Sequence, residues 1–213
     1  MTTLYHSPNS RSSAVAALVR ELQADVEIRV VSIPRMDGTG GADAANPHFE
    51  KKVPYLVDGA EEVHERGAIM AYLTDRFPAA GLGPLPGEAG RGAYLSWLSY
   101  YQGGMEPVIL MQYAGVTHPA VHAAIRDFDT MMERLDTTLS RGPWLLGDRY
   151  SAADLLCSSP FLWFSEMAEG WPVVKDWVAR CAARPGMVAT QAADREAMAA
   201  RPTNRYPAWA MVL

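Results

Sequence analysis

The chain has 213 residues and a formal net charge of −5. With 49% hydrophobic and 20% charged residues it is too apolar for a disordered segment and long enough for one large or two small packed domains. The mild acidity, without any Lys/Arg-rich cluster, argues against a nucleic-acid-binding role, and no apolar stretch approaches the roughly 20 residues of a membrane span.

The N-terminus, Met1 to His6, has no basic segment before an apolar run. No secretory signal is expected, and a cytoplasmic location is. Thr2 to His6 reads as a short strand, broken at Ser7-Pro8-Asn9-Ser10. Ser12 or Ser13 then caps a helix whose Val15, Leu18, Val19 and Leu22 share one face. Val26 to Ile33 is a second strand, with Val26, Ile28, Val30 and Ser32 on one side and Pro34 at its end. A Gly/Ala-rich loop follows, with a helical turn near Pro47-Phe49. Val53 to Val57 is a third strand, Asp58-Gly59 a hairpin signal, and Glu61 to His64 a fourth strand. Ile69, Tyr72, Leu73 and Phe77 then mark a helical face that stops at Pro78. A β-α-β crossover followed by a hairpin predicts a mixed four-stranded sheet with helices on its faces.

Residues 79 to 88 are rich in Gly and Pro and mark a boundary. The expected division is an α/β domain over 1–80, a linker over 81–88 and an all-helical bundle domain over 89–213. Helical patterns cover 89–114, 119–140, 151–168, 171–183 and 186–199, with Pro107 kinking or breaking the first. Ser151-Ala-Ala-Asp154 has the form of a capping box. Cys157 and Cys181 form neither a CxxC pair nor a disulfide framework and read as two buried thiols. The scattered histidines lack metal-ligand spacing, so no metal is expected.

The segment from Asn46 to Pro78 carries the functional signal. Asn46-Pro47 precedes Lys52-Val53-Pro54-Tyr55-Leu56; a turn and His64-Glu65-Arg66-Gly-Ala-Ile-Met-Ala-Tyr-Leu follow. A Pro at the start of a strand can be cis, which turns the preceding N–H and C=O out toward an extended ligand. This run resembles the glutathione-site segment of the cytosolic glutathione transferases, and Trp144-Leu-Leu-Gly-Asp148 through Asp154 is similar to the capping segment of their helical domain. The resemblance spans essentially the whole chain.

It implies a thioredoxin-like first domain, homodimerisation, and glutathione as co-substrate. The Val53 main chain would pair with the cysteinyl part of glutathione, following Pro54. Glu65 would accept from the γ-glutamyl ammonium, the N–H groups of 66 and 67 would face its carboxylate, and Lys52 would meet the glycine carboxylate. Arg66 replaces the usual Ser. It can bind the same carboxylate, pair with Glu65 and close the pocket, or point to solvent. The thiol needs a donor that favours the thiolate. Ser10 is the leading choice, Asn9 the next, and Ser12 the third, more a helix cap. Tyr5 is expected to face the sheet core. The lack of a Cys here argues against relatives that use their own thiol.

The acceptor site is expected between the domains, lined by Tyr100, Tyr101, Met105 and Tyr113, with Trp209 as a lid. The activity implied is conjugation of glutathione to a small apolar electrophile, for detoxification. The alternatives are a non-catalytic binding scaffold, or another glutathione-dependent reaction such as peroxidation, isomerisation or a dehalogenation-like step.

Overall fold

In the computed structural model, which describes residues 1–200, four strands form one mixed sheet. They are β1 (Thr2–His6), β2 (Val26–Val30), β3 (Tyr55–Asp58) and β4 (Glu61–His64), in the order β2-β1-β3-β4. β1 and β2 are parallel and joined through helix α1 (Ser13–Glu21), as a crossover requires. β3 runs antiparallel to β1, and β4 returns beside β3 as a hairpin. Gly59 takes φ 64° at the first loop position, a conformation that strains any other side chain.

Two strands are shorter than the sequence predicts, for a common reason. β2 stops at Val30 because its partner β1 ends there, His6 opposite Val30, before the chain turns at Ser7-Pro8. Val30 is consequently exposed. β3 begins at Tyr55, opposite Tyr5, because Pro54 has no N–H to extend the ladder. The helical turn expected near Pro47 is instead an irregular loop organised by buried Asn46. Its Oδ1 accepts from His48 N at 3.1 Å and its Nδ2 donates to Lys52 O at 3.1 Å.

The main core gathers Leu4 and Leu56 from the sheet, Val15, Leu18, Val19 and Leu22 from the α1 segment, and Ile69, Met70 and Leu73 from α2 (Arg66–Arg76). Tyr5 does not join it. Alternation along β1 sends Tyr5 to the other sheet face, against Tyr55 and Val31.

The second half is helical, as predicted, with different breaks. α3 (Arg91–Tyr100) runs into a π-helical turn at Tyr101–Met105 and then α4 (Glu106–Ala114). Pro107 is in the first turn of α4, directly after the π-helical turn, so the bond its missing N–H would make falls at the irregularity rather than within α4. The helix expected over 119–140 is two, α5 (Pro119–Ile125) and α6 (Phe128–Leu139). Arg126 takes φ 71° between them, and the Asp127 carboxylate caps α6 by accepting from Thr130 N at 2.9 Å. α7 (Ala152–Ser158) gives way at Pro160 to short 3-10 turns, followed by α8 (Pro172–Ala182) and α9 (Pro185–Ala199).

The capping box forms. Asp154, fully buried, accepts from Ser151 N at 2.9 Å and Ser151 Oγ at 3.0 Å, and its other oxygen accepts from Leu145 N and Trp177 Nε1. Among the described residues no helix is long and apolar enough to cross a membrane.

α9 returns from the helical half to pack on α1. At residue 186 the two helices are in tight contact, and an added Cβ would lie 2.6 Å from the Ala17 carbonyl oxygen. That obstacle is backbone and cannot rotate away. Gly186→Ala is therefore expected to destabilise the fold by about 1–3 kcal/mol, read from the urea midpoint of the variant against the native chain.

Candidate active site

The loop between β1 and α1 is closed by side chains rather than by a helix cap. Ser12 has helical backbone angles and no capping hydrogen bond. Its Oγ, fully buried, lies 2.7 Å from His6 Nδ1 and 2.7 Å from Ser10 Oγ, and accepts from Ser7 N at 3.1 Å. Ser10 Oγ turns inward, donating to Ser7 O at 2.7 Å and accepting from Ser12 N at 3.2 Å. Asn9 is exposed, with φ 53°. Its N–H and C=O are held by Asp194 Oδ2 (2.9 Å) and Arg35 Nη1 (3.0 Å), and its carboxamide has no partner among the described residues.

Asp194, on α9, is the anchor that sequence reading missed. Besides Asn9 N it accepts from Ser13 Oγ at 2.6 Å and from His6 Nε2 at 2.9 Å. A contact across 188 positions leaves no local pattern to find.

The Val53–Pro54 bond is cis, and Val53 makes no main-chain hydrogen bond among the described residues. Lys52 is exposed, its ammonium likewise unpaired. Glu65 is also exposed, at φ 68° just before α2, and accepts from Gln102 Nε2 at 2.6 Å. The other amide atom, Gln102 Oε1, is buried and has no donor. The N–H groups of Arg66 and Gly67 open α2 and have no intrahelical acceptor.

Arg66 corrects the sequence reading. Its side chain is buried and reaches neither Glu65 nor solvent. It stacks on the Tyr101 ring at 4.5 Å, donates to Tyr101 Oη at 2.8 Å, and pairs with Glu106, which Arg11 also meets. Only the Arg66 main chain remains available to a ligand.

The expected acceptor site is dispersed. Tyr101 and Met105 are buried, so they form core rather than a cleft wall. Tyr100 is half-buried, edge-on to Trp97 and 3.9 Å beneath the Arg134 guanidinium. Tyr113 is exposed, leans on Phe164 at 4.9 Å, and borders a cleft of about 510 Å³ with Phe128, Met167 and Trp171. That cleft is lined by the helical half alone. Trp209 lies outside the described residues.

Residues 104–185 match the family model for the glutathione S-transferase C-terminal domain. The chain also superposes on solved members. A glutathione transferase from Methylococcus capsulatus str. Bath gives a TM-score of 0.76 at 27% identity, covering 92% of this chain and 100% of that one. A sphingomonad glutathione S-transferase complexed with glutathione gives 0.74 at 26%, covering 91% and 98%. Over residues 104–185 the chain thus carries the C-terminal domain of the glutathione S-transferases, and it shares the fold of these solved transferases. Among curated relatives, the disulfide-bond oxidoreductase YfcG of Escherichia coli (strain K12) is 29% identical over 212 residues, covering 87% of this chain and 92% of that protein.

The chain presents no exposed thiol of its own. Its two cysteines are both buried, and burial pushes the Cys157 thiol well above its ordinary value and Cys181 up to about 12. Burial would also raise the Asp194 carboxyl, but the donors at His6, Ser13 and Asn9 more than offset it and hold it below its ordinary value of 3.8.

The sign of the pH effect follows. A depressed carboxyl contributes stability that is complete above its unfolded value and is lost as pH falls through the folded one. Thermal melts between about pH 5 and pH 2 are expected to show a shallower acid limb, below about pH 4, in Asp194→Asn than in the native chain.

Proposed function

We propose that this chain is an enzyme that transfers the glutathione thiolate to a small hydrophobic electrophile. The observation that carries this reading is Gln102 Oε1, a buried acceptor without a donor beside the Glu65 carboxylate. Leaving such an atom unpaired costs about 1–3 kcal/mol, and an ammonium lying against Glu65 supplies the missing donor. The γ-glutamyl group of glutathione carries such an ammonium next to a carboxylate. The free N–H groups at the start of α2 suit that carboxylate by charge and by donor. Val53, unpaired just before the start of β3, offers N–H and C=O to the cysteinyl residue, and Lys52 supplies a cation for the far carboxylate.

The arrangement favours binding over an occluded scaffold, because Arg66 is committed to Glu106 and Tyr101 and stays clear of Glu65. At the thiol, Ser12 is buried and the Ser10 proton is directed at Ser7 O, so the unpaired Asn9 carboxamide is the leading donor and Ser10 the second. A donor at sulfur favours the thiolate, each unit of depression being worth ~1.4 kcal/mol. The chain is further read as a cytoplasmic homodimer with a detoxifying role and domains over 1–80 and 89–213. The electrophile is placed near exposed Tyr113 and half-buried Tyr100.

A second reading, reduction of a small disulfide by glutathione, rests on the Escherichia coli relative named as a disulfide-bond oxidoreductase. With no exposed cysteine in the chain, both thiols would come from glutathione. Turnover of a panel of electrophiles against a small organic disulfide separates the two readings.

Calorimetry is expected to show saturable glutathione binding that weakens at least about tenfold, or 1.4 kcal/mol, in Glu65→Ala. Unchanged affinity in that variant would count against this placement of glutathione. Asn9→Ala is expected to lower kcat by about 10- to 100-fold with little change in the KM for glutathione, and more than Ser10→Ala does.

A further inference from the structure

We propose that Asp194 on α9 is the positioning residue for the thiol-contacting loop, so that turnover depends on a carboxylate supplied by the C-terminal helix. This rests on the transferase reading above and adds to it the group that orders the donor.

One carboxylate holds the loop at both ends. Oδ1 accepts from His6 Nε2, at the end of β1. Oδ2 accepts from the Asn9 main chain and from Ser13 Oγ, at the start of α1. Asn9 needs that restraint, because φ 53° is a left-handed conformation that only a few residue types adopt readily, Asn among them. With its N–H fixed inward on Asp194, the exposed carboxamide extends outward.

The hydrogen bonds inside the loop continue from the same anchor. A carboxylate only accepts, so His6 Nε2 carries a hydrogen toward Asp194. His6 Nδ1 and Ser12 Oγ share a hydrogen at 2.7 Å. Ser12 Oγ also accepts from Ser7 N and lies within hydrogen-bond reach of Ser7 O and Ser10 Oγ. The Ser10 proton has two inward acceptors, Ser7 O and Ser12 Oγ, each at 2.7 Å. The chain Asp194–His6–Ser12–Ser10 draws the serine hydroxyls in and leaves the Asn9 amide as the outward donor.

The test uses the full chain, glutathione and an electrophile that the native protein turns over. Asp194→Asn keeps the shape but offers one acceptor where two were used, so His6 or Asn9 loses its partner. The expected result is a fall in kcat of about 10- to 100-fold, with the KM for glutathione within about twofold. The ultraviolet titration of the bound thiolate should move up by about one pH unit. A merely structural role would not move that titration. Thr190→Val serves as the comparison, because it removes the Arg20 contact at 3.0 Å from the same helix and leaves the loop bonds intact. An unchanged thiolate titration in folded Asp194→Asn, or an equal kcat loss in Thr190→Val, would overturn the proposal. If the native chain gives no saturable heat with glutathione, the transferase reading falls first and this inference with it.

Discussion

Helix α9 lies against α1 because residue 186 has no side chain to hold it off. The approach is fixed by Glu21 on α1, whose carboxylate accepts from Gly186 N at 2.8 Å and pairs with Arg184. An acid at a helix N-terminus also suits the helix dipole. One turn further, Arg20 reaches Thr190, and about one turn beyond that Asp194 comes level with the loop after β1. The position of that carboxylate is thus set by packing of small residues and by two ion-paired side chains at the far end of the same helix.

The sheet half and the helical half are joined by a second polar contact on another side. Glu106, at the start of α4, receives Arg66 from α2 and Arg11 from the loop before α1. Arg66 is nearly inaccessible, so removing its carboxylate would leave a buried charge uncompensated, a far larger loss than the net worth of the pair. The π-helical turn at Tyr101–Met105 supplies this geometry. It inserts extra backbone just ahead of Pro107, on the segment where Tyr101 and Gln102 meet Arg66 and Glu65. A feature that interrupts the helix is also the one that brings the helical half to the mouth of the sheet.

Local patterns made much of this legible. Apolar spacing in α1 and α2, the hairpin after β3 and the capping box at Ser151–Asp154 each follow from rules that act within a few residues. The strand ends were misjudged because they depend on where a partner strand stops, which a single strand does not encode. The break at Arg126 was missed because a charged residue in left-handed backbone carries no signal of its own. The same limit governed the site. Glu65 and Val53 stand in a readable segment. Gln102, Glu106 and Asp194 act through contacts across 37, 40 and up to 188 positions. Arg66 was the instructive case: identified as the odd residue of its motif, it could not be assigned a direction without the carboxylate on α4.

The burial of both cysteines has a use outside chemistry. Cys157 sits in α7 and Cys181 in α8, each within the central packing and each held protonated by its surroundings. An alkylating reagent can meet them only when those helices separate. The rate at which the folded chain takes up label is therefore a clock for opening of the helical half.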